Sequence, residues 1–342
     1  MNEKRKLTPA LLFERFCYGC GDFGCNIIYT AMSAFLLFYY TDYAGVNAAA
    51  VGTIMLVSRI FDGISDIIMG MIVDRTNTRL GKARPWVLAG GIGIGVSIML
   101  LFSCPASLST SAKVAFCAGM YFLANPFFGT MASVSCGTLN NLLTADSKKR
   151  GVLGVFSAYG TLVPVVIIGL VVPKILSAMH ESQAAYTTAT LIFAVMSIVA
   201  SIIGVACVRE TVTERSKEQL VEKQPVKETL HELLHNKYFI FLALGTILYN
   251  LTSAPVATYY AKYVFHDVGV TTLINLPGMI MIFLLPFAVP MMNKFGKRNC
   301  VVGGMLLAAV GHTIIFFAND NLALFMLAKS VASIAVVPFT IS

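Results

Sequence analysis

Arg59-Ile60-Phe61-Asp62-Gly63-Ile64-Ser65-Asp66 places three ionisable side chains within eight residues, inside a run otherwise apolar from Ala48 to Val73. A run of that length crosses a bilayer as a helix. An acidic side chain near the middle of such a helix costs about 2.5–3.5 kcal/mol on insertion scales. Asp62 and Asp66 stand four apart and Arg59 three before Asp62, so the three share one helix face. Two readings follow. In one, the carboxylates converge in a poorly solvated cleft and hold a cation, metal ion or proton, between them. In the other, the three groups form an internal ion pair that only ties two helices together. Arg59 neutralises one carboxylate and leaves the other charged, which favours the first.

The rest of the chain agrees with a membrane setting. Its 342 residues are 57% hydrophobic and 12% charged, with a mean hydropathy of +0.76. Soluble domains carry about a quarter charged residues. Long apolar runs rather than short alternating ones dominate, which implies an all-α membrane protein. Met1 to Arg15 is polar and basic, and the first apolar run is too long for a signal-peptide core. Cys104, Cys117, Cys136, Cys207 and Cys300 lie in or beside apolar runs, where cysteine acts as a small hydrophobe. Cys17, Cys20 and Cys25 include one CxxC, without the second pair or histidines that zinc needs.

Apolar runs fall at about residues 16–41, 48–73, 85–104, 113–143, 152–177, 185–208, 238–263, 270–292, 299–318 and 322–342, ten candidate spans. A hydrophilic stretch at 209–236 separates a six-span segment, 1–208, from a four-span segment, 237–342. Its charges are balanced, and it reads as a solvated linker. Residues 1–15, 74–84, 146–150, 209–237 and 293–298 hold 20 of the 25 Lys and Arg. If the spans alternate, all five segments lie on one side. The positive-inside rule makes that side the cytoplasm and puts the amino terminus there. The net charge of +8 is thereby explained, and nucleic acid is not an expected partner. Arg75, Arg79, Lys82 and Arg84 are expected to fix topology and pair across a cytoplasmic gate, or to meet lipid head groups.

Gly81-Lys82-Ala83-Arg84 opens the third span, and Gly296-Lys297-Arg298-Asn299 opens the ninth, six spans later. Such repeats mark transporters of two six-helix halves. Twelve spans would be needed, so a second half truncated at residue 342 is expected.

Four stretches carry a family likeness. They are Tyr18-Gly19-Cys20-Gly21-Asp22-Phe23-Gly24 with Phe38-Tyr39-Tyr40-Thr41-Asp42; the second span with Val51-Gly52-Thr53, Arg59 to Asp66 and Met69-Gly70; Arg79-Leu80-Gly81-Lys82-Ala83-Arg84-Pro85-Trp86; and Tyr249-Asn250 with Tyr259-Tyr260. With these the chain resembles the glycoside–pentoside–hexuronide:cation symporters, the melibiose permease group of the major facilitator superfamily. The resemblance implies that superfamily's bundle of two pseudo-symmetric halves. It implies cation-coupled uptake of a sugar or glycoside at the bacterial inner membrane by alternating access, by a monomer, without a resident cofactor or enzymatic activity. It implies a site for Na⁺, Li⁺ or H⁺ at Asp62 and Asp66, completed by Ser65 and Thr130. It places the sugar at Asn26, with Asp22, Arg59, Ser133 and Asn250 as further candidates. In the resemblance the family's first-helix acid falls at Asn26 and the basic residue before it at Cys25, its fourth-helix acid or amide at Ser133 and the aromatic after it at Gly137, and its fifth-helix arginine at about Ser157, so the charged clamp is gone. A non-transporting sensor or scaffold that kept the fold is the alternative.

Other features have milder readings. Tyr39 and Tyr40 fit aromatic anchors at the outer interface. His312 fits a packed core residue or a proton relay. Asn125-Pro126 fits a kink in the fourth span. Gly90-Gly91-Ile92-Gly93-Ile94-Gly95 fits close helix packing rather than nucleotide binding.

Overall fold

In this computed structural model, the described residues are 9–105, 107–144, 147–179, 182–210, 235–237, 239–240, 244–245, 264–265, 270–318 and 321–341. Their architecture is helical. In chain order come α1 (Pro9–Phe38), α2 (Ala48–Arg75), α3 (Arg84–Leu101), α4 (Thr110–Phe122), α5 (Thr130–Leu143), α6 (Ser147–Ala178), α7 (Gln183–Ala206), α8 (Val270–Phe295), α9 (Lys297–Phe317) and α10 (Leu322–Ile341). A π-helical segment, Tyr39–Tyr43, continues α1, and a second, Leu123–Gly129, joins α4 to α5. These helices coincide with nine of the ten apolar runs; most of 238–263, with Asn250, Tyr249, Tyr259 and Tyr260, lies outside the described residues. Among the described residues, six helical stretches are long and apolar enough to cross a membrane by length and composition. The 28-residue α2 is not one of them; it carries Arg59, Asp62, Asp66, Asp74 and Arg75.

The chain divides into two compact units: Met1–Thr213 with Leu285–Lys294 and Thr340–Ser342, and Glu214–Leu284 with Phe295–Phe339. In the first, α1 lies against α6 and α7, α3 against α7 and α5, and α2 against α5 and the second π segment. Without a water-driven hydrophobic force between helices in lipid, close approach of backbones has to supply the packing. Small residues allow it. A Cβ on Gly90 of α3 would sit 2.5 Å from the backbone nitrogen of Ala132 in α5. One on Gly93 would meet the Phe128 ring, and one on Gly95 would lie 2.9 Å from Ile198 Cγ1. The glycine run of α3 is thus a packing surface. Gly90→Leu is expected to cost about 3 kcal/mol, the upper end of overpacking, because backbone faces it. A melting curve of the purified protein in micelles checks this; an unchanged melting temperature would contradict the packing.

The outer aromatics are core residues. Tyr39 and Tyr40 are both 0% exposed, against the interface position expected of them. The Tyr39 hydroxyl donates to Gln183 Oε1 at 3.1 Å and accepts the Cys104 backbone N–H at 3.1 Å. Gln183 in turn donates to the Phe102 carbonyl at 2.7 Å. Three separate elements are tied there by one phenol, which gives its polar end partners away from water.

The loop between α2 and α3 is tied as firmly. Glu210, just beyond α7, accepts backbone N–H groups of Lys82 (2.7 Å), Ala83 (2.9 Å) and Arg84 (3.1 Å). Those are unpaired donors at a helix start, where an anion is favoured. Gly81 has φ +116°, and a Cβ on it would lie 2.5 Å from the Glu210 carboxyl carbon. The Arg84 guanidinium adds bonds to the Val205 carbonyl at 2.6 and 3.1 Å and to the Leu80 carbonyl at 3.1 Å. Gly296, its counterpart in the repeat, also has positive φ, +85°, and immediately precedes α9. The glycine of each related sequence thus takes positive φ, Gly81 three residues before α3 and Gly296 immediately before α9.

In the second unit, α9 and α10 approach closely: a Cβ on Gly311 would lie 2.9 Å from the Ala328 carbonyl oxygen. Phe265 meets Phe325 edge-on at 6.0 Å. His312 is exposed rather than packed in the core, its Nδ1 2.8 Å from the Ala308 carbonyl oxygen.

Candidate functional site

The polar face of α2 runs Ser58, Asp62, Ser65, with Asp66 at its edge, a spacing of three and four that an α-helix brings into line. Opposite it stands the fourth span. There Pro126 lies within the π segment, and the Thr130 N–H reaches the Asn125 carbonyl five residues back. In an α-helix, residues five apart would point about 140° away from one another. The wider turn brings Asn125 and Thr130 to the same side.

The contacts follow from that alignment. Asn125 Nδ2 donates to both carboxylate oxygens of Asp62, at 3.1 and 2.8 Å, and lies 3.5 Å from Ser58 Oγ. Ser65 Oγ donates to the Asp62 carbonyl at 3.0 Å and lies 3.1 Å from Thr130 Oγ1. Arg59 Nη1 is 3.6 Å from Asp62 Oδ2, with its own side chain 68% exposed against 18% for Asp62. Asn125, Ser58 and Thr130 are buried at 3%, 0% and 4%. The structure thus brings Arg59, Asp62, Ser65 and Thr130 together. Asp66 is exposed one turn further on and makes no side-chain hydrogen bond or ion pair among the described residues.

Chemically, this is one carboxylate, two hydroxyls and one amide at the contact of two helices. A carboxylate and hydroxyl oxygens suit a small hard cation, as does a carboxylate that can take a proton. Asn125 entered the sequence reading only as part of a kink. Its role at Asp62 could have been found from an amide next to a helix-interrupting proline, since broken helices in membranes line functional cavities.

The sugar candidates lie on other faces. Asp22 is buried and accepts a short hydrogen bond from Ser157 Oγ of α6. The position aligned with the family's arginine therefore does touch an acid of α1, through a hydroxyl. Asn26 Nδ2 donates to the Asp22 backbone carbonyl at 2.8 Å, one turn back on its own helix. Ser133 is exposed, its hydroxyl 3.4 Å from the Thr130 carbonyl. Cys25 Sγ and Cys136 Sγ lie 3.9 Å apart. Arg75 and Arg79 are exposed, Lys82 is half-buried, and Arg84 is spent on the backbone bonds above. Asn250 falls outside the described residues.

The family model of the MFS/sugar transport proteins matches residues 17–342. The chain belongs to that family. Among curated proteins, this family member is 31% identical over 320 residues to the isoprimeverose transporter of Lactiplantibacillus pentosus, covering 90% of this chain and 65% of the relative. It is 28% identical over 327 residues to the glucuronide carrier protein homolog of Escherichia coli K12, covering 93% of this chain and 70% of the relative. The chain thus spans about two thirds of the length of these relatives. Among solved structures, the proton:xylose symporter XylE superposes with a TM-score of 0.63 at 13% identity, over 97% of this chain and 80% of XylE. That likeness establishes the major facilitator fold, and this family member is a multi-pass membrane protein.

Proposed function

We propose that the chain is a secondary active transporter that couples movement of a sugar or glycoside to a cation, Na⁺, Li⁺ or H⁺, held at Asp62. The observation that carries the reading is the carboxylate of Asp62 in the long, mostly apolar α2, bonded through both oxygens by Asn125 of the fourth span, beside the Ser65 and Thr130 hydroxyls that meet each other one turn on. Membership in the sugar-transport family supports it, as do two relatives whose names specify isoprimeverose and a glucuronide. Asp66 completes the cation site as a second carboxylate one turn away. Asp22, Asn26, Arg59, Ser133 and Asn250 bind the sugar. The cation stabilises the conformation that takes sugar, and the sugar raises cation affinity by the same factor. Alternating exposure then moves both to the other side.

The remaining features fit the same account. The halves 1–208 and 237–342 are joined by the linker 209–236. The amino terminus is cytoplasmic, the membrane is the bacterial inner membrane, and the unit is one chain with lipid around it. Arg75, Arg79, Lys82 and Arg84 hold the cytoplasmic side. The reading assigns no resident cofactor and no enzymatic step.

The test is uptake of a panel of radiolabelled pentosides, hexuronides and hexose glycosides into vesicles holding the chain. An inward Na⁺ or H⁺ gradient is expected to drive accumulation of at least one class above its equilibrium level. Identical uptake with and without every gradient, across the panel, would contradict the proposal.

A further inference from the structure

We propose that Asn125 is a positioning residue of the cation site and sets its response to ions. This rests on the reading of Asp62 as the cation carboxylate and goes beyond the ligand set that the family resemblance implies. Three observations carry it. The Asn125 amide nitrogen spans both oxygens of Asp62 rather than one, which fixes the carboxylate plane as well as its place. The side chain is 3% exposed and also lies beside the fully buried Ser58, so it has no water to fall back on. It is displayed by the π segment that also aims Thr130 at Ser65, so the amide and the second hydroxyl are presented by one local distortion.

A side-chain amide has a donor end and an acceptor end. With the ion absent, its donor end faces Asp62 and offsets the charge of the carboxylate. A Na⁺ or Li⁺ on Asp62 repels that N–H₂ end and attracts the carbonyl oxygen at the other. Rotation about the Cβ–Cγ bond exchanges them without moving either helix. A protonated Asp62 likewise needs an acceptor where the charged form needs a donor. Asn125 can therefore serve both the empty and the filled site, which neither a leucine nor an aspartate at this position can do.

The experiment measures the melting temperature of the full chain in detergent micelles against NaCl and LiCl, with choline chloride balancing ionic strength, for wild type, D62N, N125L and N125D. Residues that orient metal ligands typically change metal affinity about 10–100-fold when replaced. N125L, close in volume and without polarity, is expected to raise the half-saturating Na⁺ and Li⁺ concentrations by about tenfold or more. N125D sets a second carboxylate against Asp62, so the ion-free protein melts lower and gains more from saturating ion than wild type does. If N125L does not fold, N125D carries the test by itself. A wild-type response that D62N abolishes, with the half-saturating concentrations and saturating shifts of both Asn125 variants unchanged, overturns the proposal and leaves the Asp62 site standing. A wild type that responds to neither ion overturns this proposal and leaves H⁺ as the ion of the Asp62 reading; a D62N variant that responds to Na⁺ or Li⁺ as wild type does overturns the Asp62 reading and this proposal with it.

Discussion

Asp62→Asn is expected to abolish gradient-driven accumulation while leaving the protein folded. The side chain keeps its size, and an amide is tolerated against Arg59 and Asn125 better than a bare cavity would be. What disappears is the negative charge that a cation needs. Coupling free energies between two ligands are typically 1–3 kcal/mol, about 5–150-fold in affinity. The expected result is that cation no longer changes the half-saturating sugar concentration, and that uptake settles at the equilibrium level whatever gradient is imposed. Ser65→Ala and Thr130→Ala each remove one hydroxyl from the pair that stands 3.1 Å apart and are expected to act in the same direction with smaller effect. Initial uptake rates across a range of Na⁺ concentrations and pH values check all three. Accumulation by Asp62→Asn equal to that of wild type would rule out this carboxylate as the coupling site.

Glu210→Ala is expected to give a large stability loss at the N-terminal end of α3. It strips the carboxylate from three backbone donors at once. Hydrogen bonds to charged groups are worth about 1.5–3 kcal/mol each in buried settings. The three share one acceptor group and are only part-buried, so the expected loss is about 2–3 kcal/mol in total. Gly81→Ala should reach a similar figure by another route, since its φ of +116° and the 2.5 Å approach to the Glu210 carboxyl both oppose a side chain. Melting curves in micelles measure both. The double variant supplies the sharper check. With the carboxylate gone, Gly81→Ala keeps only its backbone strain, so the two losses fall short of adding. Full additivity would mean that Glu210 does not hold this loop.

The sequence was most legible where charge met oil. Asp62 stood out because a carboxylate in an apolar helix needs a reason, and the spacing to Ser65 carried the helix face with it. The helices of nine apolar runs followed from run length alone. Asn125 was harder, because its position depends on a π turn. Counting in steps of 3.6 puts Asn125 and Thr130 on different faces, and only the extra residue per turn aligns them. Glu210 sat at the edge of a balanced polar linker, where one more acid carries no signal; its value comes from α3 starting next to the end of α7. Tyr39 and Tyr40 looked like interface anchors because position along a span was all that could be read. Their burial depends on Gln183 and the α3–α4 connection, which lie distant in the chain.

The central claim is that a cation resides at Asp62, and equilibrium binding measures it without requiring transport. Isothermal titration of Na⁺ and Li⁺ into the purified chain, repeated at several pH values, should give saturable heats for wild type and none for Asp62→Asn. If the bound ion is H⁺ alone, the expected result is proton uptake on acidification that is one proton smaller in Asp62→Asn. Saturable Na⁺ binding, or proton uptake, of equal size in the two proteins would contradict the account.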